Sequence, residues 1–354
     1  MKEFLLYGAY GYTGRLIANL AADYGLKPVL AGRNEKLLET MAKELNLTYR
    51  VFGLDEKDKL ESALRDVPLV LHAAGPFVQT LKPMIEACLK TRRHYLDING
   101  DINCFEQIKT YDNAAKEAGI MLMPGAGFDV VPTDCLSLSL KERLPDASSL
   151  RIAFTSIGSS ISHGTAMTMA GKLGDGGMIR LEGKIIRRPL GEKGMIVDFG
   201  SKQLFVMSIP WGDVSTAYHT TGIPNIETFT AVPKKAFTIL KFQSIFNWLL
   251  RTDLVRNYLR KKISQRPAGP DDMMRLKAKS LVWAQVQNEK GATESAVLEG
   301  PEGYTLTAHG SLIIAQKVLQ GNFHPGYQTP AGCYGAKLVL EIPGVVLKLT
   351  DRPE

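Results

Sequence analysis

Along the first 125 residues, short apolar runs alternate with stretches in which apolar positions recur every three or four residues. The runs fall at 3–7 (EFLLY), 27–31 (KPVLA), 48–52 (TYRVF), 68–73 (PLVLHA), 94–98 (HYLDI) and 119–123 (GIMLM). Runs this short, bounded by turn residues, fit strands buried on both faces. The periodic stretches at 14–24, 34–45, 57–65, 81–91 and 104–118 fit the helices between them. Regular strand–helix alternation predicts right-handed crossovers and a Rossmann-type doubly wound parallel sheet, an α/β fold.

The pattern changes after Pro124. "SLVWAQVQ" and "ESAVLEG" alternate apolar with polar positions around the turn "NEKG", the signature of a hairpin in an antiparallel or mixed sheet. The reading is therefore a cofactor-type domain over 1–130 and a second α+β domain over 131–325. From 326 the tail "YQTPAGCYGAKLVLEI" reads as helical, with Pro330 in its first turn, and 326–354 is expected to fold back on the first domain.

Composition refines this only modestly. With 45% apolar and 22% charged residues over 354 positions, the chain has enough apolar mass for two cores. Its four cysteines form no CxxC pair, which argues for a reduced, cytoplasmic setting and against structural zinc. No segment reads as a signal peptide or a membrane span. The net charge of +7 suits an anionic cofactor or surface.

Between the first run and the first periodic stretch lies "GAYGYTG". Gly8 allows a sharp exit from the strand, Gly11 allows a pyrophosphate close to the backbone, and Gly14 allows the helix to pack on the strand. Tyr10, Tyr12 and Thr13 complete the turn, and the helix start supplies N–H donors to phosphate. The second strand ends in "LAGRNEK" with no acid to bind a ribose 2′-hydroxyl. Arg33 can instead pair with a 2′-phosphate while Asn34 caps the next helix and donates to the same group, so the cofactor is expected to be NADP(H). Asp55 either reaches the adenine or caps a helix. After the fourth strand, Ala73, Ala74 and Gly75 let the chain approach the ribose and nicotinamide, Pro76 fixes the path and Phe77 can flank the ring.

Taken in order, "GAYGYTG", "AGRN", "AAGPF", "HYLDINGD" and "GFDVVPTD" resemble the saccharopine dehydrogenase-like NADP-binding domain. In the second half, "RRPLGEKGMIVDFG", "IPWGDVSTAYHTTGIPNIE", "EGYTLTA" and "PGYQTPAGCYGA" are similar to trans-acting enoyl reductases, and the resemblance runs over nearly the whole chain. Tyr10 departs from the usual Thr or Ser, and Val130 and Thr133 depart from the Ser that commonly follows "GFD". The resemblance implies an NADPH-linked oxidoreductase acting on an activated C=C bond of an acyl or lipid-like substrate.

In a doubly wound sheet the reacting centre lies beyond the carboxyl ends of the strands. The loops carrying Asp97 and, after the sixth strand, Gly127 and Phe128 should face the nicotinamide. Enoyl reduction needs a donor to the carbonyl oxygen and a proton for the α-carbon. The titratable candidates are Tyr95, Asp97, Asp129, His163, Asp213, Tyr218 and His219; Asp129, at the expected domain junction, is preferred and His163 follows. Trp211, Asp213, the latter also a helix-cap candidate, and Tyr218 are read as substrate-lining. Two alternatives stay open: a saccharopine-type C–N dehydrogenase or imine reductase, and a non-catalytic NADP(H)-binding sensor or scaffold.

One further segment, "KKAFTILKFQSIFNWLLRTDLVRNYLRKK" (234–262), holds eight basic residues and one acid. Its apolar positions, Phe242 and Trp248 among them, form a broad helical face. That face suits either packing within the protein or contact with an anionic membrane or lipid chain. No nucleic-acid-binding pattern accompanies it. A homodimer is the default assembly.

Overall fold

The computed structural model describes residues 1–241 and 243–349; Phe242 and the last residues of the expected tail lie outside them. The chain divides into two compact units: Met1–Val131 with Tyr304–Cys333, and Pro132–Gly303 with the described residues from Tyr334 on. Tyr304–Cys333 thus belong to the first unit, although the sequence reading carries the second domain on to 325.

The first unit is built on strands β1 (Lys2–Tyr7), β2 (Leu26–Gly32), β3 (Tyr49–Val51), β4 (Leu69–His72), β5 (His94–Asp97) and β6 (Met121–Met123). Among the described residues they form, with the short strand Gly326–Tyr327, a seven-stranded sheet in the order 326–327, β6, β5, β4, β1, β2, β3. Every pairing is parallel. Leu5 lies opposite Val29 on one side and Val70 on the other, and these residues share a core with Tyr95 and Leu122. Successive side chains of a strand face opposite ways, so the unbroken burial of Phe4, Leu5, Leu6 and Tyr7 reflects a sheet covered on both sides. The order in which successive strands are laid down reverses at β1, with β2 and β3 on one side and β4 to β6 on the other, and the carboxyl ends of β1 and β4 mark the crevice in which ligands bind in such sheets.

The helices follow the periodic stretches with adjusted ends. The first is Tyr12–Leu20, continued by a tight turn of helix at Ala21–Tyr24. The stretch at 104–118 splits into Ile102–Lys109 and Asp112–Ala118. The tail departs further from expectation. Only Pro330–Tyr334 is α-helical, Ala336–Glu341 is a 3-10 helix, and Val346–Leu349 pairs with the second unit's sheet.

That second sheet is mixed, as its alternating pattern predicts. Its strands are β7 (Ser149–Ile157), β8 (Gly177–Leu181), β9 (Lys184–Arg188), β10 (Gly194–Asp198), β11 (Gln203–Ser208), β12 (Asn225–Ala231), β13 (Lys279–Gln287) and β14 (Thr293–Pro301), with Val346–Leu349 at one edge. The pairing of β12 with β7 is parallel, whereas β13 pairs antiparallel with both β7 and β14. Ala153, Val197, Phe199, Val206, Phe229 and Leu281 form a core in this unit. Among the described residues no helix is long and apolar enough to cross a membrane.

Candidate cofactor site

The glycine turn after β1 is closed by sterics. Gly8 adopts φ +87°, and a Cβ there would meet Ala74 Cβ at 2.8 Å. The Gly11 amide donates to the Gly8 carbonyl at 3.0 Å, which completes the turn. A Cβ on Gly14 would overlap the carbonyl oxygens of Gly8 and Ala9, so the helix Tyr12–Leu20 packs directly on the strand end. Its N-cap is Gly11, which offers no capping side chain. This is the cradle that a pyrophosphate requires.

Tyr10 turns away from that cradle toward the second strand. A Cβ on Gly32 would meet its Cε1 at 2.6 Å, so the ring lies against Gly32 and its departure from Thr or Ser is accommodated by a glycine. Beside it, Tyr10, Arg33, Asn34, Glu35, Lys36 and Glu39 line a cleft of about 800 Å³. Asn34 is the N-cap of Glu35–Leu45: its Oδ1 accepts from the Leu37 amide at 3.1 Å, which leaves the Nδ2 amide to donate elsewhere. Arg33 is exposed and, like Lys36, has no carboxylate partner among the described residues. Two unpaired cations and an amide donor fit a phosphate on the adenosine ribose.

Asp55 is not a helix cap. The N-cap of Lys57–Leu64 is Glu56, which accepts from the Gly53 amide at 2.9 Å. The Asp55 carboxylate folds onto Gly53. Within the same group Tyr7 is pushed up to about 12, by burial above all.

After β4 the small residues do close work. The Ala73 amide donates to the Tyr7 carbonyl at 2.8 Å, and Thr80 Oγ1 donates to the Ala74 carbonyl at 2.8 Å. Pro76 is the N-cap of Phe77–Thr91, and the Phe77 ring stands edge-on to His72 with centroids 5.2 Å apart.

Asp97 and Tyr95, both candidates for contact with the reacting centre, point into the protein instead. Tyr95 is fully buried and donates to Asp97 Oδ2 at 2.8 Å; its hydroxyl also lies 3.1 Å from His72 Nδ1. Asp97 Oδ1 accepts from the Asn99 amide at 3.0 Å, from Asn99 Nδ2 at 2.7 Å and from the Gly125 amide at 2.9 Å. The carboxylate therefore ties the loop after β5 to the loop after β6. Burial raises the Asp97 carboxyl against the pull of these donors, holds Tyr95 well above its ordinary value, and pushes His72 down to about 3.

Gly127, Phe128 and Asp129 occupy the second of those loops. A Cβ on Gly127 would meet Thr307 Cγ2 at 2.6 Å, and one on Gly100 would meet the Asp129 Cγ at 2.8 Å, so half-buried Asp129 rests on Gly100. The helix Gly303–Leu319 supplies Thr307, and Tyr304 from the same helix meets Tyr12 edge to face at 5.0 Å. Reasoning from the sequence missed Tyr304, Thr307 and His72 as parts of this site. Only "EGYTLTA", quoted for its family likeness, and "HAAGPF" pointed near them.

The remaining sequence candidates belong to the second unit. His163 opens the helix His163–Gly171, whose N-cap Ser162 accepts from the Thr165 amide at 3.2 Å. Asp129 and His163 therefore reside in different units. Trp211 packs on Phe154 with centroids 4.4 Å apart. Asp213 is not the cap of its helix: Gly212 takes that place and Asp213 is buried in the first turn. Tyr218 carries the Arg180 guanidinium over its ring at 4.1 Å.

Comparison with known proteins bears first on the cofactor-binding unit. Residues 4–123 match the saccharopine dehydrogenase NADP binding domain, and the cofactor is NADP(H). More particularly, the chain is 29% identical over 140 residues to the trans-acting enoyl reductase of Mycobacterium tuberculosis (strain ATCC 25618 / H37Rv), covering 37% of this chain and 34% of that protein. It is 25% identical over 146 residues to a lipid droplet localized protein of Caenorhabditis elegans, again 37% of this chain and 34% of the relative. The matches thus span about a third of these relatives' length, and the sequence likeness is narrower than the motifs suggest. Likeness of fold is broader. The apo saccharopine dehydrogenase (L-Glu forming) of Saccharomyces cerevisiae superposes over 99% of this chain and 100% of its own, with TM-score 0.67 and 12% identity.

Proposed function

We propose that the protein is an NADPH-dependent reductase of an activated C=C bond in an acyl or lipid-like substrate. Bound NADPH would supply the hydride, delivered to the β-carbon of the conjugated system. The glycine turn at 8–14 would hold the pyrophosphate, and Arg33, Lys36 and Asn34 the 2′-phosphate. Phe77 and the small residues 73–75 would set the nicotinamide face. Asp129 is assigned the proton for the α-carbon, with His163 as the second candidate. Trp211, Asp213 and Tyr218 are assigned to the substrate side.

The observation that carries the reading is the unpaired Arg33 beside Tyr10 and Gly32, the arrangement a 2′-phosphate requires; the acyl substrate is drawn from the likeness to the enoyl reductases. Among the arginines between 125 and 233, all but exposed Arg187 are engaged within the second unit, which favours an acyl chain over a saccharopine-like polycarboxylate. Arg143 pairs with Glu294 at 2.9 Å, Arg188 lies 3.8 Å from Glu192, and Arg180 donates to the carbonyls of Val214 and Gly183. A substrate with several carboxylates needs arginines not already engaged.

The test is NADPH oxidation by the pure protein against two pools, α,β-unsaturated acyl thioesters of graded chain length and amino acids paired with keto acids. Turnover that rises with acyl length supports the proposal. Turnover with the second pool alone replaces it by C–N chemistry, and tight NADPH binding without turnover in either replaces it by the sensor reading.

A further inference from the structure

The helices Gln243–Leu250 and Asp253–Ile263 lie in the second unit. Their inner side is anchored. Leu259 and Met167 pack on the cluster Ala166, Ala170 and Ile263. Arg251 Nε donates to the Gly174 carbonyl at 3.0 Å, and Arg256 donates to the Leu173 carbonyl at 2.9 Å and to Asp175 at 3.1 Å. These contacts fix which side looks outward.

The outward side is apolar where a soluble surface is normally polar. Leu254 is 86% exposed, Trp248 71% and Tyr258 58%, and Phe246 and Leu249 are exposed as well. Leu254 and Tyr258 stand one helical turn apart on the same face. Isolated exposed apolar residues need no explanation, but large ones gathered on two consecutive helices mark an interaction surface.

Charge identifies what covers it. Arg260, Lys261 and Lys262 are exposed at the end of the second helix and have no carboxylate partner among the described residues. Lys262 Nζ stands 5.1 Å over the Tyr258 ring, so cation and apolar contact share one edge. Asp253 is the one acid between Lys234 and Lys262. A second copy would bring the same uncompensated positive charge to the contact and be repelled. A layer of anionic phospholipid head groups would neutralise it and accept the apolar side chains beneath.

We infer that Phe246, Trp248, Leu249, Leu254 and Tyr258, flanked by Arg260, Lys261 and Lys262, form a docking face for an anionic phospholipid bilayer. Trp248 and Tyr258 seat at the head-group level, Leu254 enters the acyl boundary, and the basic residues engage lipid phosphates. The protein is thereby held at the surface without spanning it. This inference does not depend on which substrate is reduced.

The test is co-sedimentation of the full chain with vesicles of phosphatidylcholine alone and of phosphatidylcholine with phosphatidylglycerol. Binding is expected on the anionic vesicles, weakened by salt, with a blue shift of tryptophan emission that is lost in Trp248→Phe. Lys261→Gln with Lys262→Gln should lower the partition coefficient about 25-fold, at about fivefold per basic residue, and Leu254→Ser should lower it as well. Unchanged far-UV circular dichroism and thermal unfolding in these variants show that the fold persists. Equal binding to neutral vesicles, no binding to either, or lipid-free self-association abolished by the same variants would overturn the inference.

Discussion

Thr307 Oγ1 accepts a hydrogen bond from the Phe128 amide at 3.0 Å, joining positions 179 residues apart. The loop that faces the proposed reacting centre is therefore positioned by a helix from far along the chain. Thr307→Val should lower stability by about 1 kcal/mol and weaken NADPH binding, whereas Thr307→Ser should preserve both. Thermal melts with and without NADPH check this.

Arg33 is proposed to hold the 2′-phosphate that separates the two nicotinamide cofactors. Arg33→Asp should reduce the preference for NADPH over NADH by about two orders of magnitude, through lost attraction and added repulsion at the 2′-phosphate. Dissociation constants for both cofactors, measured by titration, test the placement; an unchanged ratio would mean that the 2′-phosphate lies elsewhere.

Glycines of the turn differ from glycines elsewhere. At Gly14 an added Cβ would overlap the Gly8 and Ala9 carbonyl oxygens. Gly14→Ala should cost about 1–3 kcal/mol as overpacking and abolish NADPH binding. Gly25, with φ +67° but nothing within 4 Å of an added Cβ, should cost about 1 kcal/mol when replaced by Ala and leave binding intact. Urea unfolding and cofactor titration distinguish the two.

The His72 imidazole should make the protein acid-sensitive. Burial holds its pKa near 3 in the folded state against an ordinary 6.5, so between those values the unfolded chain binds the extra proton. Stability is then fully present above pH 6.5 and declines as pH falls toward 3, with a slope approaching about 1.4 kcal/mol per pH unit. His94, pushed down to about 4 by burial, acts in the same direction. Raised Asp97 acts oppositely, favouring the folded state as pH falls. His72→Gln should flatten the slope by about one proton in urea unfolding followed from pH 7 to pH 4.

Much of the first unit was legible because its signals are local. An apolar run, a glycine turn and a periodic stretch each occupy a dozen residues or so, and Asn34 before "EKLLETMAKEL" announces its own cap. The tail was not legible in the same way. Its apolar spacing imitates one helix, but the Gly326 amide donates to the Ile120 carbonyl at 2.8 Å and the Gln328 amide to the Leu122 carbonyl at 2.9 Å, which makes a strand of its start, and the helical residues after it are broken into two short pieces. Asp97 misled for a related reason. A carboxylate at a strand end reads as a ligand group, and only the convergence of Tyr95, Asn99 and Gly125 shows it to be a brace between loops.

The sharing of one sheet between residues 2–123 and 326–327 has a consequence for synthesis. As the chain leaves the ribosome, β6 emerges with its outer edge bare, and it stays so until residues 132–303 of the second unit have been made and residues 326–327 follow. A bare parallel edge can recruit other chains, so the nascent cofactor domain should need shielding for most of translation. It reaches its final form only when residues 326–327 arrive.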